Sequence, residues 1–347
     1  MPIDMNRREF LTISAAVPVA AMANAYENVK LGIDLFSLRA QKWTPFEALD
    51  YCAARKVQVV HFSEIRFIGN LEPKNLRKVR AHAAQLGLEI EIGMRSICPT
   101  STMFDKKAGT AEEQLTNMID AAETVGSPIV RAVLGSAEDR LKPGPIEARI
   151  ADTARVLKNV RSKAADKNIK IAIENHAGDM QARELKILVE EAGRDFVGVC
   201  LDSGNPLWTI EDPHLTLEVL HPYVLTSHVR DSAVWRVPQG AAVTWVEMGR
   251  GNVDIEGYVK KYVELCPGRP LSLESIVFGP RVLPFKDPKF WEAYRKTPAW
   301  EFERFLEIAE RGKPYQDEPW EMGDEARRER EALDASLTFT KKIFGRE

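Results

Sequence analysis

The stretch Ile169-Lys170-Ile171-Ala172-Ile173-Glu174-Asn175-His176 (IKIAIENH) decides how the fold is read. A short, strand-like apolar run ends abruptly in an acid, an amide and an imidazole. A charged group costs several kcal/mol to bury unless it is paired or bound to a metal. The stretch is therefore either a strand end meeting water or the rim of an active site. The choice depends on whether other runs end the same way, and three do. VGVCLDSGNP (197–206) reaches Asp202, VLTSHVRDS (224–232) reaches His228, and LSLES (271–275) reaches Glu274.

Working outward, short apolar runs alternate with helical patterns. Strands are expected over Lys30–Phe36, Val57–Phe62, Leu88–Met94, Ile129–Val133, Ile169–Ile173, Val197–Leu201, Val224–Ser227 and Leu271–Leu273. Helices are expected from Thr44-Pro45, over Glu72–Leu86, from the capping box Thr110-Ala111-Glu112-Glu113 to Val125, and over Pro145–Lys167, Gln181–Ala192, Leu215–His221 and Ile255–Leu265. A last one opens at Asp287-Pro288, and a long loop is expected after Ser227. Eight strand–helix alternations imply parallel strands with crossover helices, and fit a (β/α)8 TIM barrel. An open doubly wound sheet is the alternative, but no GxGxxG follows the first strand. The barrel is placed at residues 26–310, with a C-terminal helical extension at 311–347 that contains a helix over Asp324–Phe344. That extension is outer packing, a lid or a homo-oligomer arm.

The chain has 347 residues and a net charge of −3, which argues against nucleic acid, since phosphate binding wants a basic face. Cys52, Cys98, Cys200 and Cys266 form no CxxC pair, which disfavours a zinc–thiolate site. Cys98 and Cys200 read as small core residues, and a disulfide is left open. Near the start, Arg7-Arg8 precede a weakly apolar run and the small-residue site Ala23-Asn24-Ala25. That order reads as a twin-arginine export signal over residues 1–25, hence a periplasmic or exported protein. No later run is long and apolar enough to span a bilayer, so no stable membrane insertion is expected after cleavage.

In a barrel the strand ends converge on one face, where active sites sit. Glu174, Asp202, His228 and Glu274 would then form a set of three acids and one imidazole. Oxygen-rich ligation with one histidine suits one Mn2+, Mg2+ or Co2+ ion and tolerates Zn2+; Mn2+ is the first expectation. His176 is a substrate or metal-supporting group, or simply holds a loop. Arg230 either donates to a substrate oxygen or pairs with Asp231. Glu64 either binds substrate hydroxyls or pairs with Arg66. Arg95 follows the third strand on the same face. Trp208, Trp235 and Trp245 offer aromatic faces to a sugar, or pack.

Taken together, ENH (174–176), LDSGN (201–205), HVRD (228–231), GRGNVD (249–254) and LES (273–275) resemble the xylose isomerase-like TIM barrels, the sugar phosphate isomerase/epimerase superfamily. The resemblance runs over nearly all of residues 29–310. It implies that Glu174, Asp202, His228 and Glu274 bind one divalent metal, and that Glu174 and Glu274 also move the proton through an enediolate. GRGNVD is similar to the family's turn before the seventh helix and is given no catalytic role. Asn205 stands where related epimerases often carry histidine; an amide binds a hydroxyl but does not exchange a proton at neutral pH. The leading expectation is a metal-dependent isomerase or epimerase of a non-phosphorylated sugar or sugar derivative. The alternative is a lyase or hydratase on a keto-glycoside or sugar acid, using the same metal. A three-zinc phosphodiesterase would need more than the six histidines present. A non-catalytic sugar-binding protein would not need the four-ligand set.

Overall fold

The structure is a computed structural model that describes residues 26, 28–276, 279–316 and 323–346. The expected export segment, 1–25, lies outside the described residues. The strands are β1 (Leu31–Asp34), β2 (Val59–Phe62), β3 (Glu89–Ser96), β4 (Ile129–Val133), β5 (Lys170–Glu174), β6 (Val197–Asp202), β7 (Val224–His228), β8 (Asp231–Val237), β9 (Gly240–Val246), β10 (Leu271–Leu273) and β11 (Arg281–Leu283). Eight of them form one parallel sheet in the order β10-β1-β2-β3-β4-β5-β6-β7. The ring closes just past β7. The Val229 amide donates to Ser272 O at 2.8 Å, and the Glu274 amide donates to Val229 O at 3.0 Å. With helices wrapped around it, this is a (β/α)8 barrel.

Side chains alternate across each strand. On β5, Ile171 and Ile173 join the main apolar core together with Val199 and Leu201 of β6. Ala172 and Cys200, one step along each strand, belong instead to a small separate cluster with Ile129. The large core therefore lies between strands and helices, and the barrel axis holds only a small apolar plug. Glu174 and Asp202 follow two residues after Ala172 and Cys200, so the same alternation aims them at the axis above that plug.

Local sequence explains the helices. Thr44 and Thr110 each accept from the amide three residues on, while Glu47 and Glu113 bond back to the cap. Both expected helix starts are therefore real capping boxes. The expected loop after β7 is not a loop. β8 and β9 form an antiparallel ribbon, and β11 pairs with β9, giving a three-stranded sheet beside the barrel mouth. Helix Ala299–Arg311 covers it, with Phe305 and Ile308 packed against Val234 and Val243.

Helix Glu325–Ile343 lies in the outer layer beside helix Pro45–Ala54. Its Asp334 accepts from Arg55 Nε at 2.8 Å and from Tyr51 Oη at 3.2 Å. Its Leu333 and Leu337 enter the main core. Strand boundaries shift by a residue or two. β5, β6 and β7 each include the polar residue that the sequence put just beyond them, and β1 stops at Asp34. All four cysteines are buried and free, so none forms a disulfide.

Candidate active site

Glu174, Asp202 and His228 are the last residues of β5, β6 and β7, and Glu274 follows β10. All four are buried. One ligand atom from each lies within 4.8 Å of the others. A cavity of about 250 Å³ opens over this cluster. Glu174, Glu274, His176, Asn205, Trp208, Arg230, Glu64 and Arg95 all line it, whereas Asp202 and His228 sit beneath. A larger open groove of about 810 Å³ lies between segments 140–147 and 289–297, and holds none of the four.

The four acidic and basic groups are held by named partners. Arg131 in the middle of β4 donates through Nε to Glu174 Oε2 at 2.6 Å. Burial alone would push the Glu174 carboxyl up. The Arg131 guanidinium is the largest group opposing that, and the carboxyl is held well below the usual range. Arg230 bridges Asp202 and Glu274. It does not pair with Asp231, which instead accepts amides from Gly249 at 3.0 Å and Gly251 at 2.8 Å and so fixes the GRGNVD turn. Burial raises the Asp202 carboxyl, with Arg230 opposing it. The approach of Arg230 needs Gly204, where a Cβ would stand 2.6 Å from the arginine side chain.

His228 Nδ1 has no hydrogen-bond partner although it is buried. It stands 3.0 Å from Glu174 Oε2 and 3.6 Å from Glu274 Oε2. A buried nitrogen aimed at carboxylates without a bond is what a cation ligand looks like. The donor set, three carboxylates and one imidazole from four strand ends, fits one divalent ion.

The other candidates separate. The His176 ring Nδ1 lies 2.7 Å from Gly135 O, and its backbone amide donates to Asp179. It therefore both anchors its loop and lines the cavity. Burial lowers its pKa to about 4, so the ring is neutral near pH 7, and Nε2 is left as an acceptor. The Asn205 amide nitrogen donates to Glu174 Oε1 at 3.2 Å. Glu64 pairs with Arg66 Nε at 2.5 Å while still reaching the cavity wall. Trp208 stacks on Trp245 with ring centroids 4.3 Å apart, and Arg230 lies over the outer face of Trp245 at 4.4 Å. Trp235 is buried in a different cluster, away from the cavity wall.

Arg131 and Asp34 were not singled out in the sequence. Arg131 is a charge in the middle of an otherwise apolar strand, IVRAV, and Asp34 closes one, LGID, as Glu174, Asp202 and His228 close theirs. In both, the charge set against the apolar run is itself the sign that could have found them.

A parallel barrel with a buried carboxylate–imidazole cluster at the carboxyl ends of its strands defines a site that could hold a metal ion. Residues 49–277, more than half of the chain, match the family described as xylose isomerase-like TIM barrel. The chain belongs to that family. It is similar to 3-oxo-isoapionate decarboxylase of Pectobacterium atrosepticum, at 26% identity over 188 residues, 54% of this chain and 61% of that protein. The chain thus spans less than two thirds of the length of this curated relative. Among solved structures it is similar to D-psicose 3-epimerase in the presence of D-fructose (TM-score 0.59, 14% identity, 91% of this chain and 100% of the other). It is also similar to 3-keto-D-glucoside 4-epimerase from E. coli (TM-score 0.56, 11% identity, 80% and 98%). Among the described residues no helix is long and apolar enough to cross a membrane.

Proposed function

We propose that this chain is a divalent-metal-dependent isomerase or epimerase of a non-phosphorylated sugar or sugar derivative, and that Glu174 and Glu274 move the proton. One observation carries the reading. Of the four clustered groups, only the two glutamates reach the cavity, while Asp202 and His228 stay beneath it. That divides the work into two groups that only hold an ion and two that also face the substrate.

A divalent ion held by Glu174, Asp202, His228 and Glu274 would stabilise negative charge on a substrate oxygen next to the reacting carbon. The remaining roles fall to the chain. Glu174, kept ionised by Arg131, removes a proton from the carbon beside a carbonyl. Glu274, entering the step protonated, delivers its own proton from its side of the cavity, so that Glu174 ends protonated, Glu274 ends ionised, and exchange with solvent resets the pair. Arg230 and the acceptor Nε2 of His176 orient substrate oxygens, and Trp208 and Trp245 wall the cavity as a stack whose rings are covered by Arg281 and Arg230. The cavity is smaller than the about 300–1,000 Å³ typical of drug-sized sites, which suits a monosaccharide-sized substrate. The similar proteins named for D-psicose, a 3-keto-glucoside and a 3-oxo acid support a carbonyl-bearing sugar as the class.

Asn205 favours a second reading, elimination from a keto-glycoside or sugar acid. Its amide sits on Glu174 and cannot supply a proton of its own. The experiment that separates the two starts with metal analysis. A screen of keto sugars, keto glycosides and sugar acids in heavy water follows, read by NMR and mass. Epimerisation gives a product of unchanged mass apart from one deuterium next to the carbonyl. Elimination gives loss of water or of an aglycone. Metal-free wild type, or turnover that moves hydrogen without any solvent exchange across the whole substrate set, would sink the leading reading.

The export reading is a proposal about place. Changing Arg7 and Arg8 to Lys should leave precursor in the cytoplasm, because the pathway reads that pair. Normal export of the double variant, followed by fractionation, would remove it.

A further inference from the structure

Beneath the four clustered groups, beside the small plug of Ile129, Ala172 and Cys200, the barrel axis is polar. The interior of a barrel of this type is usually filled by branched apolar side chains. Here Asp34, His61, Ser63, Glu91 and Thr226 are all buried around the axis, and only the polar chain they form offsets the cost of placing them there. That chain has a direction. His228 points its bondless Nδ1 up at Glu174 and Glu274, and turns Nε2 down, 2.8 Å from His61 Nδ1 and 2.9 Å from Asp34 Oδ2. Asp34 cannot swing away. Its Oδ1 accepts from Ser63 Oγ and from the Phe36 amide, both at 2.6 Å, which fixes Oδ2 beside the histidine with no hydrogen bond of its own. The β1–β2 register sets Asp34 directly opposite His61, so the two acceptors arrive side by side. Behind them Glu91 accepts from Thr226 Oγ1 at 2.6 Å and stands 3.6 Å from His61 Nδ1. Neither Asp34 nor His61 lines the cavity, so neither can touch a substrate seated there.

We infer that Asp34 and His61 are positioning residues for His228. His61 Nδ1 takes its Nε2 proton, the Asp34 carboxylate beside it keeps that proton on Nε2, and the pair thereby fixes the tautomer with a bare Nδ1 aimed at the three carboxylates. The inference rests on the metal reading of Glu174, Asp202, His228 and Glu274. A metal-bound histidine generally donates its other N–H to such a partner, and loss of the partner typically weakens metal binding about 10- to 100-fold. A second imidazole in that place, with the Asp34 carboxylate beside it, is the specific device here.

The test uses the full chain, stripped and reloaded with Co2+, with affinity measured by chelator competition and coordination read from the visible absorption band. Asp34→Asn and His61→Phe should each bind Co2+ about 10- to 100-fold more weakly, with a shifted band. His61→Gln, whose amide oxygen can still accept the proton, should recover part of both. A merely structural role would lower the melting temperature and leave affinity and band unchanged; that result in folded variants overturns the inference. Should both variants fail to fold, wild-type chain labelled with 15N in its histidines and loaded with Zn2+ decides the matter. His228 should show a metal-bound Nδ1 and a protonated, slowly exchanging Nε2, and a metal-bound Nε2 overturns the assignment. Wild type that binds neither ion removes the metal site itself, an outcome distinct from a metal-binding wild type with unaffected variants.

Discussion

Glu174 and Glu274 carry the same side chain in different company. Arg131 and Asn205 hold Glu174 from two sides, one oxygen each, whereas Glu274 shares Arg230 with Asp202. Glutamine keeps the shape and one coordinating oxygen but carries no proton at neutral pH. Glu174→Gln and Glu274→Gln should therefore keep part of their metal and lose at least about 10²-fold in turnover, the usual size of a general acid–base contribution. Asp202→Ala, which lies under the cavity, should instead lose the metal. Metal analysis beside steady-state rates on the true substrate checks all three. Full activity in both glutamine variants would break the mechanism even with the metal in place. These four residues were legible because each polar side chain closes an apolar run. Arg131 was not, because a charge in the middle of a strand breaks the expected pattern rather than ending it.

At the scale of elements, alternation and caps were readable and the ribbon was not. Thr44 and Thr110 announce their helices through side-chain chemistry that works locally. β8 and β9 are separated only by Pro238 and Gln239, and a strict strand–helix count has no slot for an antiparallel pair. Its place comes from β11 and helix Ala299–Arg311, contacts distant in sequence. One element junction makes a pH prediction. Glu211 accepts the Ala182 amide at the start of helix Ala182–Ala192 and the Thr216 hydroxyl of helix Pro213–Leu220. Burial raises its pKa from 4.5 to about 7, against those hydrogen bonds. The folded state therefore binds a proton that the unfolded chain releases near pH 4.5. That contribution is fully present below pH 4.5 and is lost as pH rises through about 7. Thermal unfolding should show stability falling between about pH 4.5 and 7, and Glu211→Gln should flatten the fall. An unchanged profile in the variant would assign the slope to other groups, such as Glu91, which burial also raises to about 7.

For the whole molecule, the eight-fold alternation was enough to name the barrel, because each parallel strand and its crossover repeat one local pattern. The place of helix Glu325–Ile343 was not readable, since β11 and helix Ala299–Arg311 intervene in sequence between β10 and the helix that returns to pack beside it. The closure of the ring was equally hidden. β5 and β6 share a register of four residue pairs, and β1 and β10 share three, but β7 meets β10 through the single bridge Val229–Leu273. His228 precedes one side of that bridge and Glu274 follows the other. An ion held by both would span the weakest join in the barrel. A ligand that binds only the folded state adds about 2.7 kcal/mol at a hundred times its dissociation constant. Chelation should therefore lower the melting temperature of metal-loaded chain, and restored metal should return it. The geometry also says where. After chelation, amide hydrogen exchange should quicken over 224–230 and 271–275 well before it does over β2 and β3, which share an unbroken register of four residue pairs away from the join. A uniform rise across all strands would mean that the ion stabilises the fold without bridging the join. No change in a chain that demonstrably lost its metal would show that the hydrogen bonds of Val229 close the ring on their own.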